Sequence, residues 1–273
     1  MVGKLSTARD IERIDAGRRT SDSDRLVLEE PLEIRLAGSP LAVTIRTPGH
    51  DEELAAGFAL TEGVLACAED LESVRPCAEA EWGNIVDLEL ASAVADQRAF
   101  AIGRARREFF LSSSCGLCGK ESIDRLRQHI EPIHGEFVVA PAVLAALPGK
   151  MRSRQEAFEE TGGLHAAALF RSTGELVCLR EDIGRHNAVD KVIGHELLLG
   201  RLPAEQGILL VSGRASFELV QKAGRAGIGI LCAISAPSSL AVDLATELGM
   251  TVVGFLRDQR LNVYCGNHRV GGI

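Results

Sequence analysis

The chain has 273 residues and a formal net charge of −8, with 46% hydrophobic, 25% charged and 4% aromatic residues. These proportions are typical of a globular protein and exclude collagen-like, coiled-coil and wholly disordered chains. The acidic balance argues against a general nucleic-acid binder or a protein of anionic membrane surfaces. No run approaches the roughly 20 apolar residues that a membrane-spanning helix requires, so we expect no membrane association.

Residues 1–24 are charged throughout and show no apolar periodicity, which predicts a poorly ordered tail. The same stretch lacks the apolar region of a secretory signal and therefore favours a cytoplasmic location. The seven cysteines are an odd number. In a reducing compartment they favour reactive or buried thiols over a disulfide framework.

Residues 25–112 follow a pattern typical of a small, sheet-rich α+β domain. Apolar residues alternate with polar ones over 32–36 and 41–45, on either side of a Gly-Ser-Pro turn, and this predicts a hairpin. Acidic residues at the start of 51–66 suit the positive end of a helix dipole and predict a helix there. Two further strands are predicted, at 84–90 and 106–111.

Residues 113–273 show a different order of predicted elements, which includes a hairpin at 165–171 and 175–181. Strands that alternate with helices indicate parallel neighbours joined by crossovers, so the sequence predicts an α/β domain with a mixed sheet. The strands are predicted at 207–212, 228–234 and 251–256. The helices are predicted at 119–130, 141–160, 186–199, 215–226 and 238–248.

The sequence Ser-Ser-Ser-Cys-Gly-Leu-Cys-Gly-Lys at 112–120 places Cys115 and Cys118 just before a predicted helix. Free N–H groups at a helix start and the nearby Lys120 both favour the reactive thiolate. Structural zinc requires four ligands, and no second cysteine pair stands at the spacing of a zinc site. Structural metal is therefore disfavoured but remains open, as do a redox dithiol, a nucleophilic thiol that carries sulfur or an acyl group, and a plain buried pair.

Polar residues also gather where predicted strands end, at the sheet edge where open α/β sheets bind ligands. Arg185 and His186 follow one strand, and Ser212-Gly213-Arg214 follows the next. Either segment could be an ordinary helix start, although the second also resembles an anion cradle. Phe255, Arg257 and Arg260 surround the end of the last strand and could contact a flat base and phosphates. His165, after a Gly-Gly pair, is more typical of a structural histidine than of a catalyst.

Together these segments resemble the formate dehydrogenase accessory sulfurtransferase family, FdhD/NarQ. The similarity covers roughly residues 25–265, and six motifs occur in the family's order. They are SSCGLCG at 113–119, TGGLHAAA at 161–168, EDIGRHNAVDK at 181–191, SGRASFE at 212–218, SAPSSLA at 235–241 and GFLR at 254–257.

The resemblance implies a cytidine-deaminase-like core with a smaller N-terminal unit, acting as a homodimer. It implies that the protein accepts sulfur from a cysteine desulfurase and passes it to molybdopterin guanine dinucleotide, for use by apo formate dehydrogenase. Cys115 then resembles the persulfide-bearing residue, with Cys118 as its partner. Residues expected at the cofactor are Arg185, His186, Ser212, Gly213, Arg214, Phe255, Leu256, Arg257, Asp258, Gln259 and Arg260.

Deaminases bind zinc through His-x-Glu followed later by Pro-Cys-x-x-Cys. Here the cysteine pair precedes His165, and Ala167 occupies the glutamate position. We therefore expect the deaminase-like fold without a resident metal or deaminase activity. Two other functions remain open: a Cys-x-x-Cys dithiol oxidoreductase, and a non-catalytic chaperone that binds the cofactor.

Overall fold

The computed structural model describes residues 5–77, 84–92 and 130–271, and within them the strands form three sheets. The first is a hairpin of β1 (Ser6–Asp15) and β2 (Arg18–Val27). The second has the order β4-β3-β6-β5, with β3 (Glu30–Leu36), β4 (Ser39–Arg46), β5 (Leu71–Pro76) and β6 (Ile85–Leu90). The third has the order β12-β11-β10-β9-β7-β8, with β7 (His165–Arg171), β8 (Leu176–Asp182), β9 (Gly207–Val211), β10 (Ile230–Ala233), β11 (Thr251–Arg257) and β12 (Arg260–Cys265).

The described helices surround the second and third sheets. They are α1 (Asp51–Thr61), α2 (Pro141–Arg152), α3 (Glu156–Thr161), α4 (Arg185–Leu198), α5 (Phe217–Arg225) and α6 (Ser239–Glu247). None of these helices is long and apolar enough to span a membrane.

The prediction of a poorly ordered tail at residues 1–24 is wrong from residue 6 onwards, because β1 and β2 pair along their whole length. Ala16 and Gly17 connect them with φ values of 47° and 85°, the left-handed backbone that suits a two-residue hairpin turn. The hairpin is tied to α3, where Glu160 accepts a hydrogen bond from Ser6 and pairs with Arg25. Most of its side chains are exposed, so it lacks the apolar alternation from which strands are predicted.

The four-stranded sheet confirms the predicted hairpin and the strand near 84–90. Alternation buries Leu32, Ile34 and Leu36 on one face of β3. The helix α1 ends at Thr61 rather than near residue 66, and the chain turns at Gly63, where φ is 79°. The predicted strand at 106–111 lies outside the described residues.

The six-stranded sheet confirms the predicted mixed α/β arrangement. The strands β9, β10 and β11 are parallel, and β7 and β12 flank them in the antiparallel direction. The predicted helix at 141–160 is instead two helices, α2 and α3, separated by a short turn. The predicted helix at 119–130 falls almost wholly outside the described residues, and β5 and β12 were not predicted.

Hydrophobic side chains cover both faces of the six-stranded sheet. On one face, Ala166, Ala168 and Phe170 of β7 belong to a cluster that includes Leu144 and Leu147 of α2. On the other face, residues of β7 and β9 belong to a cluster that continues into α1 and the four-stranded sheet. The predicted domain boundary at 112–113 lies outside the described residues, but the parts on either side of it share this second cluster.

The helices α1 and α4 cross at two glycines. A Cβ atom added at Gly57 would lie 1.9 Å from the carbonyl oxygen of Asp190, and one at Gly194 would lie 1.8 Å from that of Glu53. Only hydrogen fits at either position, so the two backbones approach closely. This crossing fixes the middle of α4 against α1.

Candidate functional site

A cavity of about 1050 Å³ opens at the edge of the six-stranded sheet where β8 to β11 end and β7 begins. This is the edge at which open α/β sheets bind ligands. The lining comprises Ala145, Pro148, Gly149, Met151, Arg152, Gln155, Phe158, Gly162, Gly163, Leu164, His165, Ile183, Ser212, Ile234, Arg257, Asp258 and Gln259. Helices α2 and α3 form one wall, and the strand ends form the floor and the facing side.

His165 and Ser212 meet where β7 and β9 adjoin. The Ser212 hydroxyl oxygen accepts a hydrogen bond of 3.0 Å from the Ala166 amide and lies 3.5 Å from Nδ1 of His165. The ring of His165 also passes close to Gly213, where a Cβ atom would lie 3.7 Å from two ring atoms. Burial lowers the pKa of His165 below its ordinary value of 6.5, and the positive charge of Arg185 lowers it further. The imidazole is therefore mainly neutral at pH 7.

The turn between β11 and β12 brings Arg257, Asp258 and Gln259 to the cavity. Asp258 and Gln259 adopt left-handed backbone conformations, with φ values of 52° and 61°. Phe255 also has a positive φ, and its ring centre lies 6.0 Å from the Arg257 guanidinium carbon. Leu256 is 1% exposed within the hydrophobic cluster beneath the sheet, so its side chain is part of the core.

Arg152 and Phe158 form a planar surface on the helical wall of the cavity. The guanidinium carbon of Arg152 lies 4.4 Å from the centre of the Phe158 ring, and both side chains line the cavity. Such a pair offers a flat cationic and aromatic surface to a ligand. The sequence interpretation misses it, because a continuous helix over 141–160 gives no sign that the chain turns before Phe158.

The structure brings four of the predicted cofactor residues together in the cavity lining: Ser212, Arg257, Asp258 and Gln259. Gly213 lies beside His165, while Arg185, Arg214 and Arg260 are exposed. His186 instead places Nε2 2.7 Å from a carboxylate oxygen of Glu218. Cys115 and Cys118 lie outside the described residues.

Most polar side chains of the motif at 181–191 make buried contacts that hold α4 in place. Lys191 pairs with Asp182 at 2.7 Å and donates to the Thr47 carbonyl oxygen at 2.8 Å. The Asp182 carboxylate accepts from the amides of Thr47 and Gly184 and from the Asn187 side chain. These bonds tie the ends of β4 and β8 together and support the cavity edge from below.

A second buried ion pair joins α4 to α5. Lys222 lies 2.9 Å from Asp190 and 3.1 Å from Glu62, and it also donates to the Thr61 hydroxyl. Burial alone would lower the pKa of Lys222, but the carboxylates of Asp190 and Glu62 raise it above its ordinary value. The ammonium group therefore stays charged in the interior.

Glu53 of α1 is the centre of a third polar cluster. Arg180 donates two hydrogen bonds of 2.5 and 2.7 Å to its carboxylate, and Nδ1 of His195 lies 3.0 Å from Oε1. Burial alone would raise the pKa of Glu53, but these bonds hold it well below its ordinary value. Next to this cluster, Cys178, His195 and Glu196 each place a possible metal-ligand atom within 4.8 Å of the other two.

The fold and the cavity define an α/β protein with a large polar and apolar cavity at the carboxyl edge of a mixed sheet. The FdhD/NarQ family model matches residues 27–271. The chain therefore belongs to the FdhD/NarQ family, which confirms the resemblance carried by its motifs.

Individual relatives match over almost the whole chain. A protein of Streptomyces coelicolor is 52% identical over 277 residues, covering 98% of this chain and 97% of its own. One of Streptomyces avermitilis is 50% identical over 281 residues, with the same coverage. Both are named sulfur carrier protein FdhD. The crystal structure of a putative formate dehydrogenase accessory protein from Desulfotalea psychrophila matches with a TM-score of 0.79 and 25% identity, covering 98% of this chain and 100% of that one.

Proposed function

We propose that this protein is a sulfur carrier for formate dehydrogenase, working in the cytoplasm as a homodimer. Cys115 accepts sulfur from a cysteine desulfurase and delivers it to molybdopterin guanine dinucleotide held in the cavity, before the cofactor enters the apo-enzyme. The observation that carries the proposal is the cavity, whose lining includes seven residues of the motifs that resemble the family: Gly162, Gly163, Leu164, His165, Ile183, Ser212 and Arg257. The names of the relatives support the sulfur-carrying role.

The cavity suits a large anionic cofactor with a flat base. Its volume of about 1050 Å³ is just above the roughly 300–1,000 Å³ typical of small-molecule sites. Arg257 and Arg152, which is also paired with Glu159, supply positive charge to the lining of an otherwise acidic protein. The paired Arg152 and Phe158 offer a stacking surface for guanine, and Arg257 lies where it can reach the phosphates.

The first transfer conserves atoms and electrons. The Cys115 thiolate attacks the outer sulfur of the desulfurase persulfide, so that a new S–S bond forms on Cys115 and the desulfurase cysteine leaves as a thiolate. Release of that sulfur as sulfide requires two electrons. The Cys118 thiolate provides them by attacking the inner sulfur, which expels hydrosulfide towards the bound cofactor and leaves a Cys115–Cys118 disulfide.

Complementation of a strain that lacks the protein tests the proposal. We expect Cys115→Ala to abolish formate dehydrogenase activity while the purified variant still binds the cofactor. Cys67→Ala, which removes an exposed cysteine from the four-stranded-sheet region, is the matched control and retains activity. Normal activity with a Cys115→Ala/Cys118→Ala double variant would contradict sulfur transfer and favour the chaperone hypothesis.

A further inference from the structure

Cys178 of β8 and two consecutive residues of α4, His195 and Glu196, converge on one point between the sheet and the helix. A thiol sulfur, an imidazole nitrogen and a carboxylate oxygen lie there within 4.8 Å of one another. We propose that these three side chains bind a divalent metal ion of the zinc class. The site is separate from the cavity and does not rest on the proposed sulfur transfer.

Glu196 gives the strongest indication that the site takes a cation. Its side chain is 7% exposed, and its Oε1 atom has no hydrogen-bond partner in the part of the chain that the structure describes. The nearest basic side-chain nitrogens, on His195 and Arg201, are both 3.9 Å away, beyond hydrogen-bond distance. Because a buried carboxylate oxygen requires a partner, buried charges in proteins are paired or coordinate metals. A bound cation satisfies Oε1 here.

His195 is oriented as a metal ligand. Its Nδ1 lies 3.0 Å from Oε1 of Glu53, which favours the tautomer with the proton on Nδ1 and leaves the Nε2 lone pair free towards Glu196. Metal-binding histidines in proteins are commonly held by a carboxylate in this way. Arg180 also approaches Nδ1, but its positive charge is compensated by its two hydrogen bonds to Glu53.

The donor set selects the class of metal. Thiolate, imidazole and carboxylate together suit zinc, whereas calcium and magnesium prefer oxygen ligands alone. On binding, the Cys178 sulfur gives up its proton to solvent and forms the metal–sulfur bond. Three protein ligands leave a fourth position for water. His195 is 26% exposed and provides access from solvent.

The site is distinct from the deaminase zinc site whose absence the sequence predicts, and a metal bound here would revise the broader expectation of a protein without a resident metal. That site would lie at His165, at the start of β7 and beside the cavity. The proposed ligands on α4 follow Arg185, at the cavity end of the helix, by ten and eleven residues, which corresponds to about 15–16 Å along a helix axis. A metal here joins the edge strand β8 to α4 and stabilises the sheet away from the cavity.

Cobalt titration of the full-length protein tests the site. The Cys115→Ala/Cys118→Ala background removes the other cysteine pair, and the protein is stripped of metal before Co²⁺ is added. We expect one Co²⁺ per chain, a thiolate-to-cobalt charge-transfer band, and loss of that band when Zn²⁺ is added. In the same background, Cys178→Ser removes the band and the isosteric Glu196→Gln weakens Co²⁺ binding about 10-fold or more.

Cys265→Ser is the matched control, because this cysteine lies on the opposite edge strand, β12, and is only partly buried. It retains the band. Circular dichroism establishes that each variant is folded, and the Glu196→Gln variant decides the outcome if Cys178→Ser does not fold. A folded background protein without the band, or a folded Glu196→Gln variant with unchanged Co²⁺ affinity, would overturn the proposal.

Discussion

The Lys191 ammonium group lies 2.7 Å from a carboxylate oxygen of Asp182, and the two side chains are 1% and 0% exposed. This pair links α4 to the end of β8 and, through Thr47, to the end of β4. The motif that contributes most polar residues to the family resemblance therefore supports the cavity edge structurally. Its cationic residue Arg185 remains exposed beside His165.

Removal of Lys191 should destabilise the fold strongly. In Lys191→Met the Asp182 carboxylate stays buried without its cation, and we expect a loss of about 3–5 kcal/mol in the free energy of unfolding. Urea denaturation measures it. The matched control is Arg13→Met, which breaks an exposed pair with Asp22 and should cost less than about 1 kcal/mol. Equal losses for the two variants would contradict the assigned role of the buried pair.

The crossing of α1 and α4 should reject any side chain at Gly57. An added Cβ would overlap the Asp190 carbonyl group, so the helices must move apart. We expect Gly57→Ala to destabilise the protein by about 3 kcal/mol or more. Gly149→Ala, inside α2 with nothing within 4 Å of the new Cβ, should instead stabilise by about 0.5–1 kcal/mol. Thermal unfolding of both variants tests whether close helix contact is the cause.

The His165 imidazole should titrate below pH 6.5. Burial is the main cause of its lowered pKa, and Arg185 is the next. Arg185→Gln should therefore raise the pKa of His165. The pKa is measured from the ring proton signals by nuclear magnetic resonance. Arg214→Gln, which removes the same charge elsewhere, is the control and should change the pKa less. A pKa that does not respond to Arg185→Gln would show that the two side chains do not interact.

The same shift has a consequence for stability. Below about pH 6.5 the His165 imidazole becomes protonated in the unfolded chain while it stays neutral in the folded one. Protonation therefore favours the unfolded state, and the free energy of unfolding falls as the pH approaches the folded pKa of His165. Above pH 6.5 both states are neutral and the effect is absent. His165→Gln should reduce the loss of stability on acidification in that window and change little at pH 8. Urea denaturation across this pH range measures the difference.

The surface formed by Arg152 and Phe158 should bind the guanine part of the cofactor. Guanosine diphosphate represents that part in a calorimetric titration. We expect Phe158→Ala to weaken binding about 10-fold, because an aromatic stacking surface contributes roughly 1–3 kcal/mol per base. Arg171→Gln removes an arginine at the opposite end of β7 and should leave affinity unchanged. Unchanged affinity in Phe158→Ala would place the base elsewhere.

Apolar patterns in the sequence predict the strands that are buried in the core, and they give no indication of strands whose side chains are mostly exposed. The strands β9, β10 and β11 are fully or largely buried, so uninterrupted apolar runs indicate them. The strands β1 and β2 carry exposed polar side chains and are held by backbone pairing and by Glu160, which no periodicity records. The strand β12 is an exception, because its partly buried residues Leu261, Val263 and Cys265 alternate with exposed ones in the pattern of a strand.

The sequence likewise indicates some parts of the candidate site and gives no sign of others. Strand ends rich in polar residues indicate the cavity edge, and Ser212 and Arg257 lie there. The cavity lining includes Phe158 and not Phe255, for which an aromatic contact is predicted, because a turn after α2 directs the chain into the cavity wall. The proposed metal ligands Cys178, His195 and Glu196 have no sequence signature, since the cysteine lies 17 and 18 residues before the other two and on a different element.

The most direct test of sulfur transfer is mass spectrometry of the intact protein after incubation with a cysteine desulfurase and cysteine. We predict an increase equal to the mass of one sulfur atom, located on the peptide that contains Cys115, sensitive to reductant and absent from Cys115→Ala. The Cys67→Ala control should gain the same mass. A mass increase that persists in Cys115→Ala would contradict the sulfur-carrier account. So would a wild-type protein that forms the Cys115–Cys118 disulfide during the incubation without ever gaining the mass of a sulfur atom.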